Sequence, residues 1–326
     1  MALWLSTNLT NTTMRLLYLT IIALSMCACS ATRVATPISK QSKAATATLL
    51  TTTPSEWEFV GSVDLKFDTY HPQGMVKVGD SFYITSVKVE RRPRYSRNGK
   101  QITVQDEGAG KGYLMQFDAE GNLLDKIEVC EGTMFHPGGI DFDGRYIWIP
   151  VTKYYPYSGS FIARVDINTH KVEKMAYIDD SIGAIVHDTD NNLLICANWD
   201  ADEFLTWHLD SKGRITDSHL SAAERRTPNT AQHLAIQDSK YIGSGKMVGF
   251  GLKRTANGSR GGLDIIDTRT FQKLRSLDIE LRTSRRKVFV TGNPSTIEIA
   301  GDKMRLYFAP EDNNTTLYIY QTDLKK

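Results

Sequence analysis

HPQGMVKVGDSFYITSV, residues 71–87, holds the unit from which the rest of the chain is built. Two short runs rich in β-branched and aromatic residues, Met75–Val78 and Phe82–Val87, flank the turn pair Gly79 and Asp80. That order reads as strand, tight turn, strand. The same hairpin recurs at Tyr113–Phe117 with Leu123–Val129, and at Phe161–Val165 with Val172–Tyr177. From Trp57 onward no long stretch holds a helical period, so the class is all-β.

A larger repeat is superimposed on the hairpins. Short polar segments open a strand at His71, His136, Asp180, Gln232 and Asn293, each followed by a turn and a strongly apolar strand such as Tyr146–Pro150. Their spacing is about 45 to 65 residues, near the ~40 to 50 of a propeller blade once loop insertions are allowed. The count gives a single β-propeller of five blades, with six the alternative. The last repeat supplies only three strands, and the orphan run Trp57–Leu65 is placed to complete it, which removes the free sheet edges.

These four-stranded units, with HPQG at 71–74, HPGG at 136–139 and DGRYIW at 143–148, resemble the uncharacterised secreted or lipoprotein β-propellers of bacteria, within the six-bladed-like or quinoprotein-like propeller superfamily. The resemblance covers about residues 56–326. It implies the architecture and no particular activity, and the metal-site signatures of gluconolactonase-like propellers are absent.

Upstream of the propeller, Arg15 precedes the apolar run Leu16–Met26 and then Cys27, Ala28, Cys29 and Ser30, the order of a secretory signal. The run is shorter than the ~20 residues that cross a bilayer. A cysteine after a small residue at this point resembles a bacterial lipobox, and Cys29 after Ala28 fits acylation better than Cys27 after Met26. Residues 1–13 lack any basic residue, which points to Met14 as the start. The expected organisation is a signal peptide over 1–28, a flexible Thr/Ala/Ser/Lys-rich tether over 29–55 and the propeller over 56–326, lipid-anchored at a cell or outer membrane and facing the periplasm or the outside. Cys130 and Cys196 could pair in an oxidising compartment, but they fall in different blades, which favours two buried free thiols over a disulfide. With 39 Lys and Arg against 37 Asp and Glu the chain has a formal charge of +2, so no global field favours nucleic acid, and membrane contact is expected through the lipid alone.

Propeller geometry says where chemistry should sit. The residues that open the innermost strands converge on one face at the axis, which gathers His71, His136, Asp180, Gln232, His233 and Asn293 into a candidate ligand-binding ring. Imidazole, carboxylate and amide groups together are competent for a divalent metal, so a metal there is one possibility. Loops on the same face add Arg91, Arg92, Arg94, Arg254, Arg285 and Arg286, with Tyr154, Tyr155 and Trp199. Guanidinium forks take carboxylates or sulfates, and aromatic faces take the apolar side of a sugar ring. The expected partner is an anionic small molecule or an oligosaccharide, bound by a monomer and open to processing. A non-catalytic scaffold docking an envelope protein is the alternative. A glycoside hydrolase would draw two carboxylates from Asp180, Asp200, Asp202, Glu203, Glu311 and Asp312; a polyuronate lyase would use His71, His136, Tyr154 and the arginines.

Overall fold

Gly79, at a positive φ of 60°, closes the first hairpin, between the strands His71–Val78 and Ser81–Arg91. Ala109–Phe117 and Leu123–Glu128 pair outward from it to complete blade 1. The computed structural model describes residues 42–199, 201–256 and 258–325, all of which belong to the unit Val34–Lys326. The leader, Cys27, Cys29 and the first part of the proposed tether lie outside the described residues.

Four more antiparallel sheets follow the same plan. Blade 2 starts with the broken inner strand His136–Pro137 and Asp141–Phe142 and continues through Tyr146–Thr152, Ser160–Asp166 and Val172–Ile178. Blade 3 uses Ile182–Asp188, Leu193–Asn198, Glu203–His208 and the short Arg226–Pro228. Blade 4 uses Ala235–Gly243, Lys246–Thr255, Gly258–Asp267 and Lys273–Asp278. Blade 5 is built from Ser295–Ala300, Lys303–Phe308 and Thr316–Asp323, and its outermost strand is Glu58–Asp64 from the other end of the domain. The propeller therefore has five blades, closed by the N-terminal strand in the register Glu58 opposite Gln321 through Asp64 opposite Thr316.

Burial follows position in the blade. An innermost strand such as Ile182–Asp188 is buried on nearly every residue, whereas the outermost strand Leu123–Glu128 alternates between exposed and half-buried. Apolar side chains from facing sheets fill five separate seams, each cementing one pair of neighbouring blades. In the seam that closes the ring, Met75, Phe82 and Phe117 of blade 1 meet Tyr307 and Leu317 of blade 5. Such burial contributes about 25 cal/mol per Å² of apolar surface.

One sequence expectation is corrected. Ser42–Thr51, in the second half of the segment read as tether, is an α-helix. Ala45 and Leu49 are buried in the blade 4–5 seam against Phe250, Leu263 and Ile279, and the Leu49 carbonyl accepts a hydrogen bond of 2.9 Å from Arg275. The helix has only a narrow apolar stripe, so tertiary packing rather than its own pattern stabilises it. Cys196 is buried and Cys130 half-buried, both as free thiols.

Candidate functional site

The innermost strands do not run straight at the face where they begin. Register breaks fall between Pro72 and Gly74 in blade 1, Ile182 and Ala184 in blade 3, and Ile236 and Asp238 in blade 4. The extra residues in these bulges are Gln73, Gly183 and Gln237, and all three line one axial pocket. A bulge inserts one residue and re-aims it, a common device beside functional sites. The pocket, about 180 Å³, is completed by His71, His136, Thr152, Tyr154, Trp199, Ile236 and Asn293, so every blade contributes.

Glycines let the strand starts crowd the axis. A Cβ on Gly74 would stand 2.6 Å from the Ile140 nitrogen, and one on Gly139 would stand 2.7 Å from the Asp238 Cα. Below the pocket lies a polar plug. The Asp238 carboxylate, fully buried, accepts hydrogen bonds from the backbone N–H of Met75 (2.9 Å), Ile140 (3.0 Å) and Ser295 (3.1 Å), uniting blades 1, 2 and 5 with its own blade 4. The Lys240 ammonium pairs with Asp238 and donates to the Ile140 carbonyl. Nearby, burial pushes the Asp141 carboxyl up to about 7, against the opposing pull of Lys240.

Within the pocket, His71 Nδ1 lies 2.7 Å from Asp312 Oδ1, and its Nε2 lies 2.9 Å from the Gln73 side-chain nitrogen. Burial raises the Asp312 pKa, but the His71 hydrogen bond and the charges of His71, Arg286 and Arg92 outweigh it and hold the carboxyl below its ordinary value. His136 is only 5% exposed, and both of its ring nitrogens lack a hydrogen-bond partner. Burial pushes its pKa well below the ordinary imidazole value, with His71 adding to the effect, so the ring is neutral near pH 7. Its face stacks on Tyr154 at 4.4 Å, and the Trp199 ring lies 5.3 Å away. The result is a cluster of the Tyr154, His136 and Trp199 rings in a lining that also holds His71 and side-chain amides.

Of the predicted axial ring, the structure brings together His71, His136 and Asn293. Asp180, Gln232 and His233 do not line the pocket. Asp180 is buried and accepts from Arg226 at 2.7 Å, the Gln232 carbonyl accepts from Lys273, and His233 Nε2–H donates to the Phe271 carbonyl in the seam between blades 3 and 4. Among the described residues no group of three or more His, Cys, Asp or Glu side chains converges as metal ligands. Of the loop residues, Tyr154 and Trp199 line the pocket, and Arg92 lies over the Tyr154 ring at 6.0 Å. Arg91 is paired with Asp106, and Arg94 lies in the exposed hairpin Arg94–Asn98 with Gln101–Asp106. That hairpin leans across blade 2, with Lys100 3.2 Å from Glu203 of blade 3. Tyr155 is buried with its hydroxyl on Glu107, Arg254 stands at the exposed end of blade 4, and Arg285 donates to the Asn314 carbonyl. Asp200 lies outside the described residues.

Residues 21–326 match DUF6454, a family of unknown function. The chain belongs to that family. No curated protein matches this DUF6454 member. Among solved structures it is similar to the tail fiber of Staphylococcus aureus phage P68, at 11% identity and a TM-score of 0.48, over 82% of this chain and 53% of that one. It therefore spans about half the length of the tail fiber. It is also similar to a calcium-binding protein, regucalcin, from Agrobacterium tumefaciens, at 14% identity and a TM-score of 0.42, over 81% of this chain and 95% of that one.

Proposed function

We propose that this DUF6454 member is a monomeric ligand-binding propeller of the cell envelope, lipid-anchored at Cys29, that holds a small carbohydrate or anionic ligand in its axial pocket. The observation that carries the reading is His136. A buried neutral imidazole with both nitrogens unpartnered costs stability unless something else satisfies it. It stands in a pocket to which all five blades contribute, beside an aromatic wall suited to one face of a ring. The leader sequence supports export and acylation. No carboxylate is among the residues lining the pocket, which favours binding over two-carboxylate hydrolysis. The His71–Asp312 pair has the geometry of a base and its orienting group, and supports a lyase as the second reading.

The test is a thermal-shift screen of the full chain against neutral sugars, uronates, sulfated sugars and divalent cations. A ligand at a hundred times its Kd stabilises the folded state by about 2.7 kcal/mol. The expected result is a rise in Tm with at least one sugar or sugar acid, lost in the His71→Ala/His136→Ala double variant. A rise that survives the double variant, or none with any probe, contradicts the reading.

A further inference from the structure

We propose that the axial pocket selects an uncharged, hydroxyl-bearing ring, a neutral sugar or cyclic polyol, and that Gln73 is the specificity-determining residue, oriented through His71 by Asp312. The inference rests on the reading of this pocket as a ligand site. An ionised carboxylate only accepts hydrogen bonds, so the contact with Asp312 Oδ1 at 2.7 Å puts the His71 proton on Nδ1. The Gln73 side-chain nitrogen faces His71 Nε2 at 2.9 Å, and since an amide nitrogen can only donate, Nε2 carries the lone pair that accepts from it. The second Gln73 amide hydrogen goes to the Pro72 carbonyl at 3.0 Å, which fixes which end of the amide is nitrogen. Both hydrogens are thereby engaged. What Gln73 has left to offer a ligand is Oε1, an acceptor.

The remaining lining agrees with this polarity. None of the residues lining the pocket is Lys or Arg, and His136 is neutral, so a carboxylate or sulfate seated there would meet the Gln73 amide oxygen, with the Arg92 guanidinium over the Tyr154 ring rather than in the lining. A hydroxyl has a hydrogen to donate to Gln73. Tyr154 and Trp199 add apolar aromatic surface to the lining, against which the C–H side of a ring can rest. The pocket's volume of about 180 Å³ is on the scale of a single ring. Arg92 and Arg286, beside Asp312, leave cationic character only outside that lining.

The experiment is titration calorimetry of the full chain with matched pairs that differ only at the acid: methyl glucoside against methyl glucuronide, and methyl galactoside against methyl galacturonide. The wild type is expected to bind the neutral member of at least one pair about tenfold or more tighter, the scale of one unmatched buried polar contact. Gln73→Met, which keeps the volume and removes the acceptor together with the donors to His71 and Pro72, is expected to stay folded with a lowered Tm and to lose about tenfold or more for the neutral sugar. Asp312→Asn can donate to His71 Nδ1 and so shift the proton to Nε2, which takes the acceptor away from Gln73. It is expected to lower the ratio of neutral to acidic affinity about tenfold, whereas a merely structural role would lower both affinities together. Tighter binding of the uronate by the wild type, or an unchanged ratio in Asp312→Asn, overturns the proposal and leaves the pocket a ligand site. Binding of neither member, with no thermal shift from any probe, overturns the pocket reading and this proposal with it.

Discussion

Replacing Asp238 by Ala should disable the domain, although the residue lies below the pocket and touches no ligand. Its carboxylate joins three backbone N–H groups from blades 1, 2 and 5, and it pairs with the buried Lys240 ammonium. Removing it strands that ammonium, at about 3–5 kcal/mol. Each buried amide left unpaired adds about 1–3 kcal/mol. The combined loss is comparable to the ~5–15 kcal/mol of a whole domain. Asp238→Asn keeps one acceptor oxygen and should fall between the wild type and Asp238→Ala. Adding Lys240→Met to Asp238→Ala removes the stranded charge and should restore a few kcal/mol, so the two sites are expected to be strongly non-additive. Guanidinium unfolding followed by circular dichroism reads these differences. An Asp238→Ala protein within about 0.5 kcal/mol of the wild type would refute the view that this carboxylate ties the blades together at the axis.

Further outcomes follow from other contacts. Leu49→Ala, in the helix packed on the blade 4–5 seam, should cost about 2–5 kcal/mol in denaturant unfolding, and a chain shortened to residue 56 should lose at least as much; a true tether would cost nothing. Arg226→Ala leaves the buried Asp180 without its partner and should lower stability by about 3 kcal/mol in the same assay. The folded Asp141 carboxyl holds its proton up to about 7, whereas the unfolded chain releases it near 4. Its contribution is therefore fully present below about pH 4 and is lost as pH rises to about 7. Compared with the wild type, Asp141→Asn should lack that part of the fall in stability with rising pH, and parallel Tm–pH curves for the two proteins would count against it.

Most of the architecture was legible because its signals are local. Each hairpin carries its own turn residues, as Gly79 does, and the polar strand openings repeat often enough to count five blades. Even the closure by Glu58–Asp64 follows from counting strands. The helix Ser42–Thr51 is not legible in the sequence because its apolar positions are mostly alanines among threonines, and only the completed seam reveals the burial of Ala45 and Leu49. At the site, His71, His136, Tyr154, Trp199 and Asn293 were within reach of the repeat argument and of the loop composition. Gln73 and Gln237 were not, since a bulge adds a residue and breaks the alternation by which faces are assigned. The arginines misled for another reason. Arg91 meets Asp106, Arg285 meets the Asn314 carbonyl, and Asp180 of the expected ring is taken by Arg226, pairings that no single loop sequence displays.

The central claim is that His136 is held neutral and unpartnered in the axial pocket so that a ligand can satisfy it. Ring-nitrogen NMR of the full chain with isotope-labelled histidine tests this directly, using His136→Gln to assign the signal and the sugar that gives the largest thermal shift as the probe. The account predicts a single neutral form of His136 from pH 8 down to about pH 6, below the ordinary imidazole midpoint near 6.5, and a change in its ring-nitrogen shifts on adding the sugar. A His136 ring that titrates near 6.5, or that does not respond while the sugar still raises Tm, would contradict it.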